Sequence, residues 1–543
     1  MRVLGINSVF HDPAAALVID GDVVAAAEEE RFSRRKHGKR PVPFSAWEQP
    51  AAAARWCLRQ GGITPADVDL VGFSYDPALA RPAEEMGLHD PWDHLRTTYA
   101  TQAPSLLAED LPGLDPSRAR FVPHHVAHAA SAALAAPEAA GGCSVLVCDG
   151  RGERDSCLFG RYTGRRLEVL GTQPLPHSLG LMYEDLTQHL GFLRSSDEYK
   201  VMALASHGKP RFLDQVREKV RPVPGGFRTD PVDWADLAPP RAPGEDWTDA
   251  HADLAASIQR RLEEVLLALA SELHRRTGDR VLAMAGGTAL NCVANTVLAE
   301  HAPFGAVWVQ PAAGDAGTAL GAALHLAATE GEPAWSMTGA DLGRGFTDAE
   351  IEGALRTARL RYERPPDLAA AVAGVLAADG IVAWFQGRSE YGPRALGNRS
   401  LLAHPGRRAN LDRLNDIKGR EKFRPVAPMV LASRAAEIFT RGPLPSPYML
   451  FVHDVAAHWQ DRIPAVVHVD GTARVQTVDP ARQPLLAALL TAFEQRTGLP
   501  VLVNTSLNTA GRPMVDSIRD ALECFGSTPV DVLAIGPFLV RRP

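Results

Sequence analysis

Residues 144–149, Ser-Val-Leu-Val-Cys-Asp, are a short apolar run that ends in a carboxylate. A polar loop at 150–155 separates this run from a second apolar run at 156–162, and the two runs are predicted to pair as a β-hairpin. The same plan occurs near the amino end, where runs 2–7 and 14–19 flank a polar break and the turn Asp20-Gly21 follows. The repeated plan predicts a duplicated α/β unit with ligands at the strand ends.

Two glycine-rich junctions follow these hairpins. One apolar run, 281–285, leads into Gly286-Gly287 and then a helix through Asn291, and a second leads into the loop 313–317, which contains Asp315. Glycines at such turns let the backbone approach a phosphate, and the helix amino end supplies unpaired N–H groups. Gly286, Gly287 and Asn291 are therefore predicted to contact a nucleotide.

A composition break at 331–366 predicts the boundary between two domains, 1–345 and 366–543. After the break, a helix at 367–379 and apolar strands at 381–385, 500–503 and 531–540 predict a mixed α/β domain.

The overall composition excludes several classes of protein. The chain has 57 Lys and Arg against 64 Asp and Glu, which argues against a general nucleic-acid coat. No apolar run reaches the roughly 18 residues that span a bilayer. Six cysteines occur without a Cys-x-x-Cys pair, as is typical of a reduced compartment. We expect a soluble cytoplasmic protein with no nucleic-acid and no membrane partner.

The segment 121–131 carries three histidines after Pro123, where a helix is expected to begin. His124 and His128 lie four residues apart, on one helix face, and such a pair can hold one divalent metal. His125 competes for that role, and a surface helix with several histidines is the alternative. Two aspartates at strand ends or glycine loops, Asp149 and Asp315, would complete a mixed nitrogen and oxygen set suited to Fe(II), Mn(II) or Zn(II).

Two charge runs differ in their expected roles. Residues 28–40 are predicted to be mostly a solvated face, with Lys36 and His37 as candidates for a loop that folds over a ligand. Residues 386–428 hold ten basic and four acidic side chains, a local charge of +6. Rigid turns beside Arg394 and Arg424 favour bidentate capture of phosphate or carboxylate. An RNA-binding surface is the rival, although aromatic residues are sparse there.

Ordered motifs extend along the whole chain. They are Phe10-His11-Asp12, Glu28-Glu29-Glu30-Arg31-Phe32, His124-His125-x-x-His128-Ala129-Ala130-Ser131, Asp149-Gly150-x-Gly152-Glu153, Lys200-Val201-Met202-Ala203-Leu204-Ala205, Gly286-Gly287-x-x-Leu290-Asn291, Gly314-Asp315-x-Gly317, Gly392-Pro393-Arg394-Ala395-Leu396-Gly397, Arg424-Pro425 and Asn504-Thr505-Ser506-x-Asn508. With these motifs the chain resembles the nodulation-type and antibiotic-type O-carbamoyltransferase family from end to end. One departure is that Ala203 and Ser206-His207 replace the glycine and the Pro-Tyr pair usual after the Lys200 motif, which leaves the role of Lys200 open.

The resemblance implies an α/β architecture with two parts. The first is an actin-like (ASKHA) domain related to threonylcarbamoyl-adenosine transferases, and the second is a YrdC-like domain. The implied reaction joins carbamoyl phosphate and ATP in a carbamoyl-adenylate and transfers the carbamoyl group to a hydroxyl of a small molecule, such as an antibiotic or glycoside.

The resemblance also implies roles for individual residues. His124, His128, Asp149 and Asp315 would bind the divalent metal, with Fe(II) preferred and Mn(II) or Zn(II) as alternatives. His11 would assist the acceptor hydroxyl, with Lys36 near the intermediate. The adenylate-forming pocket would be lined by Arg394, Lys418, Arg424, Arg474, Ser506 and Asn508. Other functions compatible with the sequence are a tRNA threonylcarbamoyl-adenosine-type transferase and a non-catalytic actin-like nucleotide sensor, and a homodimer is one expected assembly.

Overall fold

The computed structural model describes residues 1–38, 49–139 and 141–542, so Lys39 and Arg40 of the first charge run lie outside the described residues. The chain divides into two compact units, Met1–Thr338 and Gly339–Pro543. None of the described helices combines the length and the apolar composition needed to cross a membrane.

The first unit is an α/β unit built around two five-stranded sheets. Its strands are β1 (Arg2–Asn7), β2 (Ala14–Ile19), β3 (Asp22–Glu28), β4 (Leu70–Phe73), β5 (Ala119–Phe121), β6 (Cys143–Cys148), β7 (Asp155–Thr163), β8 (Arg166–Pro174), β9 (Val220–Val223), β10 (Gly226–Thr229), β11 (Val281–Ala285) and β12 (Ala306–Val309). Its helices are α1 (Glu30–Ser33), α2 (Ala51–Gln60), α3 (Asp93–Asp110), α4 (His124–Ala133), α5 (Leu179–His189), α6 (Glu198–Ala205), α7 (Leu213–Lys219), α8 (Asp249–Thr277), α9 (Cys292–His301) and α10 (Ala316–Thr329).

The two sheets share one topology. The strand orders are β3-β2-β1-β4-β5 and, read from the opposite edge, β8-β7-β6-β11-β12. In each sheet the first three strands in chain order pair antiparallel, and the two later strands add in parallel. This repetition confirms the predicted duplication, and it is the arrangement of the actin-like fold.

Small residues bring the central helices of the first unit close together. A Cβ at Gly5 of β1 would clash with the Ala319 carbonyl of α10, and a Cβ at Gly321 of α10 would clash with the Ala127 carbonyl of α4. Helix α10 therefore packs tightly on both β1 and α4. Because α4 and α10 begin at His124 and Ala316, this packing fixes where their first residues lie relative to each other.

The second unit has a seven-stranded mixed sheet in the order β18-β15-β19-β14-β13-β20-β21, and a separate β16–β17 pair. Its strands are β13 (Val382–Phe385), β14 (Arg399–Ala403), β15 (Ala427–Leu431), β16 (His453–Asp454), β17 (Thr472–Ala473), β18 (Gln476–Val478), β19 (Val501–Ser506), β20 (Val532–Ile535) and β21 (Phe538–Arg541). Its helices are α11 (Asp348–Thr357), α12 (Leu368–Ala377), α13 (Ala409–Ile417), α14 (Ala432–Ile438), α15 (Ala457–Gln460), α16 (Pro484–Thr497) and α17 (Ile518–Ser527). The predicted mixed α/β class is confirmed, and the YrdC-like assignment stays a prediction.

The boundary between the units lies within the composition break at 331–366, seven residues before the predicted end of the first domain. Residues 339–345, expected in the first domain, belong to the second unit. The backbone N–H of Gly343 donates to the Ser389 carbonyl, and the Arg388 guanidinium donates to the Gly343 carbonyl. These hydrogen bonds fix the segment on the second unit although its composition resembles a linker.

Candidate metal and transfer site

Four buried side chains converge in the first unit. His124 and His128 lie on α4, which begins after Pro123 because proline cannot donate an N–H inside a helix. The Nε2 atom of His124 lies 3.2 Å from Asp149 Oδ2 and 3.7 Å from Asp315 Oδ1. The Nε2 atom of His128 lies 3.6 Å from each of the same two oxygens. The four side chains predicted as metal ligands therefore form one cluster, with ligand atoms within 4.8 Å of one another.

The donor set of this cluster fits a divalent cation. Both ring nitrogens of His128 and both carboxylate oxygens of Asp315 are buried and make no hydrogen bond within the described part of the chain. Leaving ionisable groups buried without partners costs several kcal/mol each. A cation between two imidazoles and two carboxylates would bind one atom of each residue and so supply a partner to both His128 and Asp315. Nitrogen with oxygen ligands suits Fe(II), Mn(II) or Zn(II).

Neighbouring groups orient two of the four side chains. The Nδ1 atom of His124 lies 3.2 Å from the Ser74 carbonyl, so the ring donates there and directs Nε2 toward the two carboxylates. The backbone N–H of Gly287 donates to Asp149 Oδ1 at 2.7 Å, which leaves Oδ2 facing the histidines. Neither Ser74 nor this contact of Gly287 was predicted, because both contacts join segments that are far apart in the chain.

The electrostatics of the cluster favour a positive charge at its centre. Burial alone would lower the pKa of His124, but its hydrogen bond to Asp149 and the charges of Asp315 and Asp149 raise the pKa to about 9. Burial alone would raise the pKa of Asp149, but its hydrogen bond to His124 and the charges of His128 and His124 hold that pKa well below its usual range. A proton on His124 and a bound metal would thus compete for one position.

The structure separates His125 from the pair. This residue does not belong to the four-residue cluster, and its ring packs against Gly152. Burial, together with the charge of His124, lowers the pKa of His125 to about 3, so its ring is neutral. The alternative of a surface helix is wrong, because His124, His125 and His128 are all buried.

His11 borders the metal cluster. Its Nε2 lies 3.6 Å from Asp315 Oδ2, and its Nδ1 lies 2.8 Å from Asp12 Oδ2. Lys36 lies half-buried in the short turn Lys36–Gly38, directly before His37. The Nδ1 atom of His37 lies 2.7 Å from Asp12 Oδ1, so the structure brings His11 and the turn that carries Lys36 to the same carboxylate.

The predicted solvated face at 28–40 is wrong for its first residues. Glu28 and Arg31 are buried and form a two-pronged pair, with Arg31 Nη2 at 3.1 Å from Glu28 Oε1. Glu29 is buried because its carboxylate accepts the N–H groups of Ala52 and Ala53 at the start of α2. Charge density alone could not distinguish these ion pairs and caps from exposed side chains.

The predicted nucleotide loop lies beside the cluster. Gly286 has φ +91°, and a Cβ there would clash with the Cys148 carbonyl, so the position requires glycine. Asn291 caps α9, because its Oδ1 accepts the Ala294 N–H at 3.0 Å, and its Nδ2 donates to Gln259 Oε1 at 2.8 Å. These contacts give Asn291 a structural role, and nucleotide binding by Gly286, Gly287 and Asn291 stays a prediction.

In the second unit, one edge of the sheet gathers the predicted phosphate-binding residues. Strands β15 and β18 run parallel, and both run antiparallel to β19, so Ala427 at the start of β15 lies opposite Asn504 near the end of β19. Arg424 and Arg474 precede β15 and β18, and Ser506 ends β19. Strand register therefore brings these three residues to the same edge.

Lys418 is the best-defined member of this group. It is buried, and its Nζ lies 3.0 Å from Ser506 Oγ and 2.5 Å from Asn508 Oδ1, with further contacts to the Ser506 and Asn508 carbonyls. The Ser506 hydroxyl in turn donates to Asn508 Oδ1 at 2.7 Å. A buried ammonium held by neutral oxygens is favourable for an anionic ligand nearby.

Family models match nearly the whole chain. One described as carbamoyltransferase N-terminus matches residues 2–324, and one described as carbamoyltransferase C-terminus matches residues 373–542. The chain belongs to the carbamoyltransferase family. It is 37% identical over 567 residues to nodulation protein NolNO of Sinorhizobium fredii, covering 99% of this chain and 80% of that protein. It is 31% identical over 580 residues to nodulation protein U of Rhizobium tropici, covering 96% of this chain and 93% of that protein.

A solved structure also aligns with part of this carbamoyltransferase. HypF of T. kodakarensis matches with a TM-score of 0.39 and 15% identity, covering 61% of this chain and 48% of that chain. As a carbamoyltransferase, the enzyme acts on a carbamoyl donor and an acceptor.

Buried Glu390, which no sequence motif identified, shapes the Arg394 loop of this carbamoyltransferase. Glu390 Oε1 accepts the backbone N–H groups of Leu396, Asn398 and Arg399 at 2.6, 2.9 and 3.3 Å. The neighbouring motif Gly392-Pro393-Arg394 indicated a phosphate-binding turn, but a carboxylate that accepts N–H groups from the loop after it leaves no pattern in the sequence.

The role of Lys200 was left open by the sequence. In the structure its Nζ lies 3.0 Å from Asp197 Oδ2.

Glu390→Ala is expected to lower the free energy of unfolding of the carbamoyltransferase by about 3 kcal/mol, because three N–H groups lose their buried acceptor. Urea unfolding followed by the fluorescence of the enzyme measures this loss. The matched control is Glu363→Ala, whose side chain is 56% exposed and pairs with Arg541 at the surface. That control should change stability by less than about 1 kcal/mol, and equal losses in both variants would contradict the prediction.

Proposed function

We propose that the chain is an ATP-dependent O-carbamoyltransferase that carbamoylates a hydroxyl of a small natural product, an antibiotic or glycoside, through a carbamoyl-adenylate. The observation that supports this most directly is the buried cluster of His124, His128, Asp149 and Asp315 with His11 at its border. In a member of the carbamoyltransferase family, this cluster would place a bound cation beside the His11 imidazole, which could accept the proton of an acceptor hydroxyl.

The second unit would form the adenylate. Its sheet edge carries Arg424, Arg474 and the buried Lys418, which suit the phosphates of carbamoyl phosphate and ATP. Arg394, on the loop shaped by Glu390, would add a further guanidinium. Overall, water and carbamoyl phosphate give carbamate and phosphate, and carbamate displaces pyrophosphate from ATP to form the carbamoyl-adenylate.

The first unit would carry out the transfer. A bound divalent metal, with Fe(II) preferred, would supply positive charge that stabilises the phosphate of the leaving AMP. His124, His128, Asp149 and Asp315 would hold that metal. His11 Nε2 would accept the proton of the acceptor hydroxyl as its oxygen attacks the carbamoyl carbon, with Lys36 near the intermediate. The backbone at Gly286 and Gly287 would approach the nucleotide.

The product balance tests this proposal. Incubation with carbamoyl phosphate, ATP and a panel of hydroxylated metabolites should yield one phosphate, one pyrophosphate and one AMP per carbamoyl group gained by the acceptor. Mass spectrometry detects the carbamoylated acceptor, and ion-exchange chromatography separates AMP from ADP. Release of ADP in place of AMP would contradict the adenylate route. Nucleotide binding without consumption of carbamoyl phosphate would instead indicate a nucleotide sensor.

A further inference from the structure

Asp12 holds the ring of His11 in one orientation. The Nδ1 atom of His11 lies 2.8 Å from Asp12 Oδ2, a normal hydrogen-bond separation. A carboxylate accepts, so the ring proton resides on Nδ1. The opposite nitrogen, Nε2, then carries a lone pair and faces Asp315 of the metal cluster.

The second oxygen of Asp12 is bound by His37. Its Oδ1 lies 2.7 Å from His37 Nδ1. The backbone of His37 is itself fixed, because its N–H donates to Glu30 Oε2 at 2.9 Å and its carbonyl accepts the Asp12 N–H at 3.3 Å. The carboxylate is thus bridged between two imidazoles and cannot rotate without breaking a hydrogen bond.

The backbone around this bridge is strained. Phe10, Asp12 and His37 have φ values of 64°, 52° and 58°, in the left-handed region that residues with a Cβ rarely adopt. Such a backbone conformation is unfavourable and persists where surrounding contacts fix it. Asn7 supplies such contacts, since its Nδ2 donates to the carbonyls of His11 and Asp12 at 2.9 and 3.0 Å.

We propose that Asp12, braced by His37, is a positioning residue that holds His11 in the tautomer whose Nε2 can accept a proton. This inference rests on the proposed function. In the transfer step, the hydroxyl proton passes to Nε2, the oxygen electron pair forms the bond to the carbamoyl carbon, and AMP leaves with the electrons of the broken C–O bond. Asp12 keeps the Nδ1 proton hydrogen-bonded throughout and stabilises the imidazolium that forms.

The rival interpretation is a second metal site. Asp12, Glu30 and His37 also offer ligand atoms within 4.8 Å of one another. The 2.7 Å separation of His37 Nδ1 and Asp12 Oδ1 is that of a direct hydrogen bond, which favours the positioning role. Metal analysis of the purified enzyme separates the two, because positioning predicts one metal per chain and the rival predicts two.

Asp12→Asn tests the positioning role. The new amide can donate to His11 Nδ1 and so favours the tautomer with its proton on Nε2. We expect the kcat of transfer to fall by about 10²–10⁴-fold, while the KM for the acceptor stays within about threefold. The matched control is Asp20→Asn, because Asp20 is also left-handed, with φ 50°, but its side chain is 78% exposed. The control should transfer at the wild-type rate.

A double-mutant cycle distinguishes positioning from general structural damage. In a His11→Ala background, Asp12→Asn should lower the kcat of transfer by less than about a further threefold, because there is no ring left to orient. His37→Ala removes only the hydrogen bond between His37 and Asp12. It should lower the kcat of transfer about tenfold in the wild-type background and leave it unchanged in the His11→Ala background. This variant replaces Asp12→Asn in the cycle if Asp12→Asn does not fold. Multiplicative losses, or two metals per chain, would overturn this inference while leaving the proposed function intact. Wild-type transfer by His11→Ala would instead overturn the role of His11 itself.

Discussion

His128→Ala is expected to weaken the affinity for a divalent metal by more than about 10²-fold and to abolish carbamoyl transfer. Loss of a group that only orients a ligand costs 10–100-fold, so loss of a ligand itself should cost more. The ring of His128 is fully buried and both of its nitrogens lack a hydrogen bond in the described structure, so its replacement removes no other polar contact. Metal content after gel filtration, measured by plasma mass spectrometry, gives the affinity independently of activity.

The stability of the enzyme provides a second measurement for His128→Ala. A metal at about 100 times its Kd should stabilise the folded wild-type enzyme by about 2.7 kcal/mol, and a chelator should remove this gain. The His128→Ala variant should show no such shift. His301→Ala is the control, because the His301 side chain is 61% exposed at the end of α9. A variant that lacks His128 yet retains stoichiometric metal would contradict the proposed ligand set.

The sequence was sufficient to predict the duplicated first unit. Alternating apolar runs with turn residues between them define β-hairpins, and the plan at 2–19 recurs at 144–162. The sequence did not predict where one apolar run divides into two strands at a turn. The run 531–540 forms two antiparallel strands, β20 and β21, because Gly536, with φ +51°, reverses the chain between them.

The candidate site was predictable to the extent that its signals are local. The i, i+4 spacing identified His124 and His128, although the same helix offered His125 and only the resemblance favoured the pair. The contacts that orient the site are not local, since Asp12 meets His37 across 25 residues and His124 meets Ser74 across 50. Such pairs depend on the fold and leave no periodicity in the sequence.

Lys418→Ala should reduce carbamoyl-adenylate formation by about 10²–10³-fold, the loss typical for removal of one group that stabilises developing charge in a dry site. The Lys418 ammonium is buried and lies between the side chains of Ser506 and Asn508 at the sheet edge. Alanine would remove the charge from that edge and the donor to Ser506 Oγ, while Asn508 Oδ1 would keep the Ser506 hydroxyl as a donor. Carbamoyl-phosphate-dependent exchange of labelled pyrophosphate into ATP measures adenylate formation without any acceptor.

The same exchange assay separates the two half-reactions of the proposed mechanism. Lys422→Ala is the matched control for Lys418→Ala, because Lys422 lies in the same basic segment but its side chain is 55% exposed and pairs with Asp416. It should exchange at close to the wild-type rate. His11→Ala should also retain exchange while its transfer falls to a low residual rate, since His11 belongs to the first unit and Lys418 to the second. If Lys418→Ala keeps exchange and loses only transfer, the proposed division of the reaction between the two units is wrong.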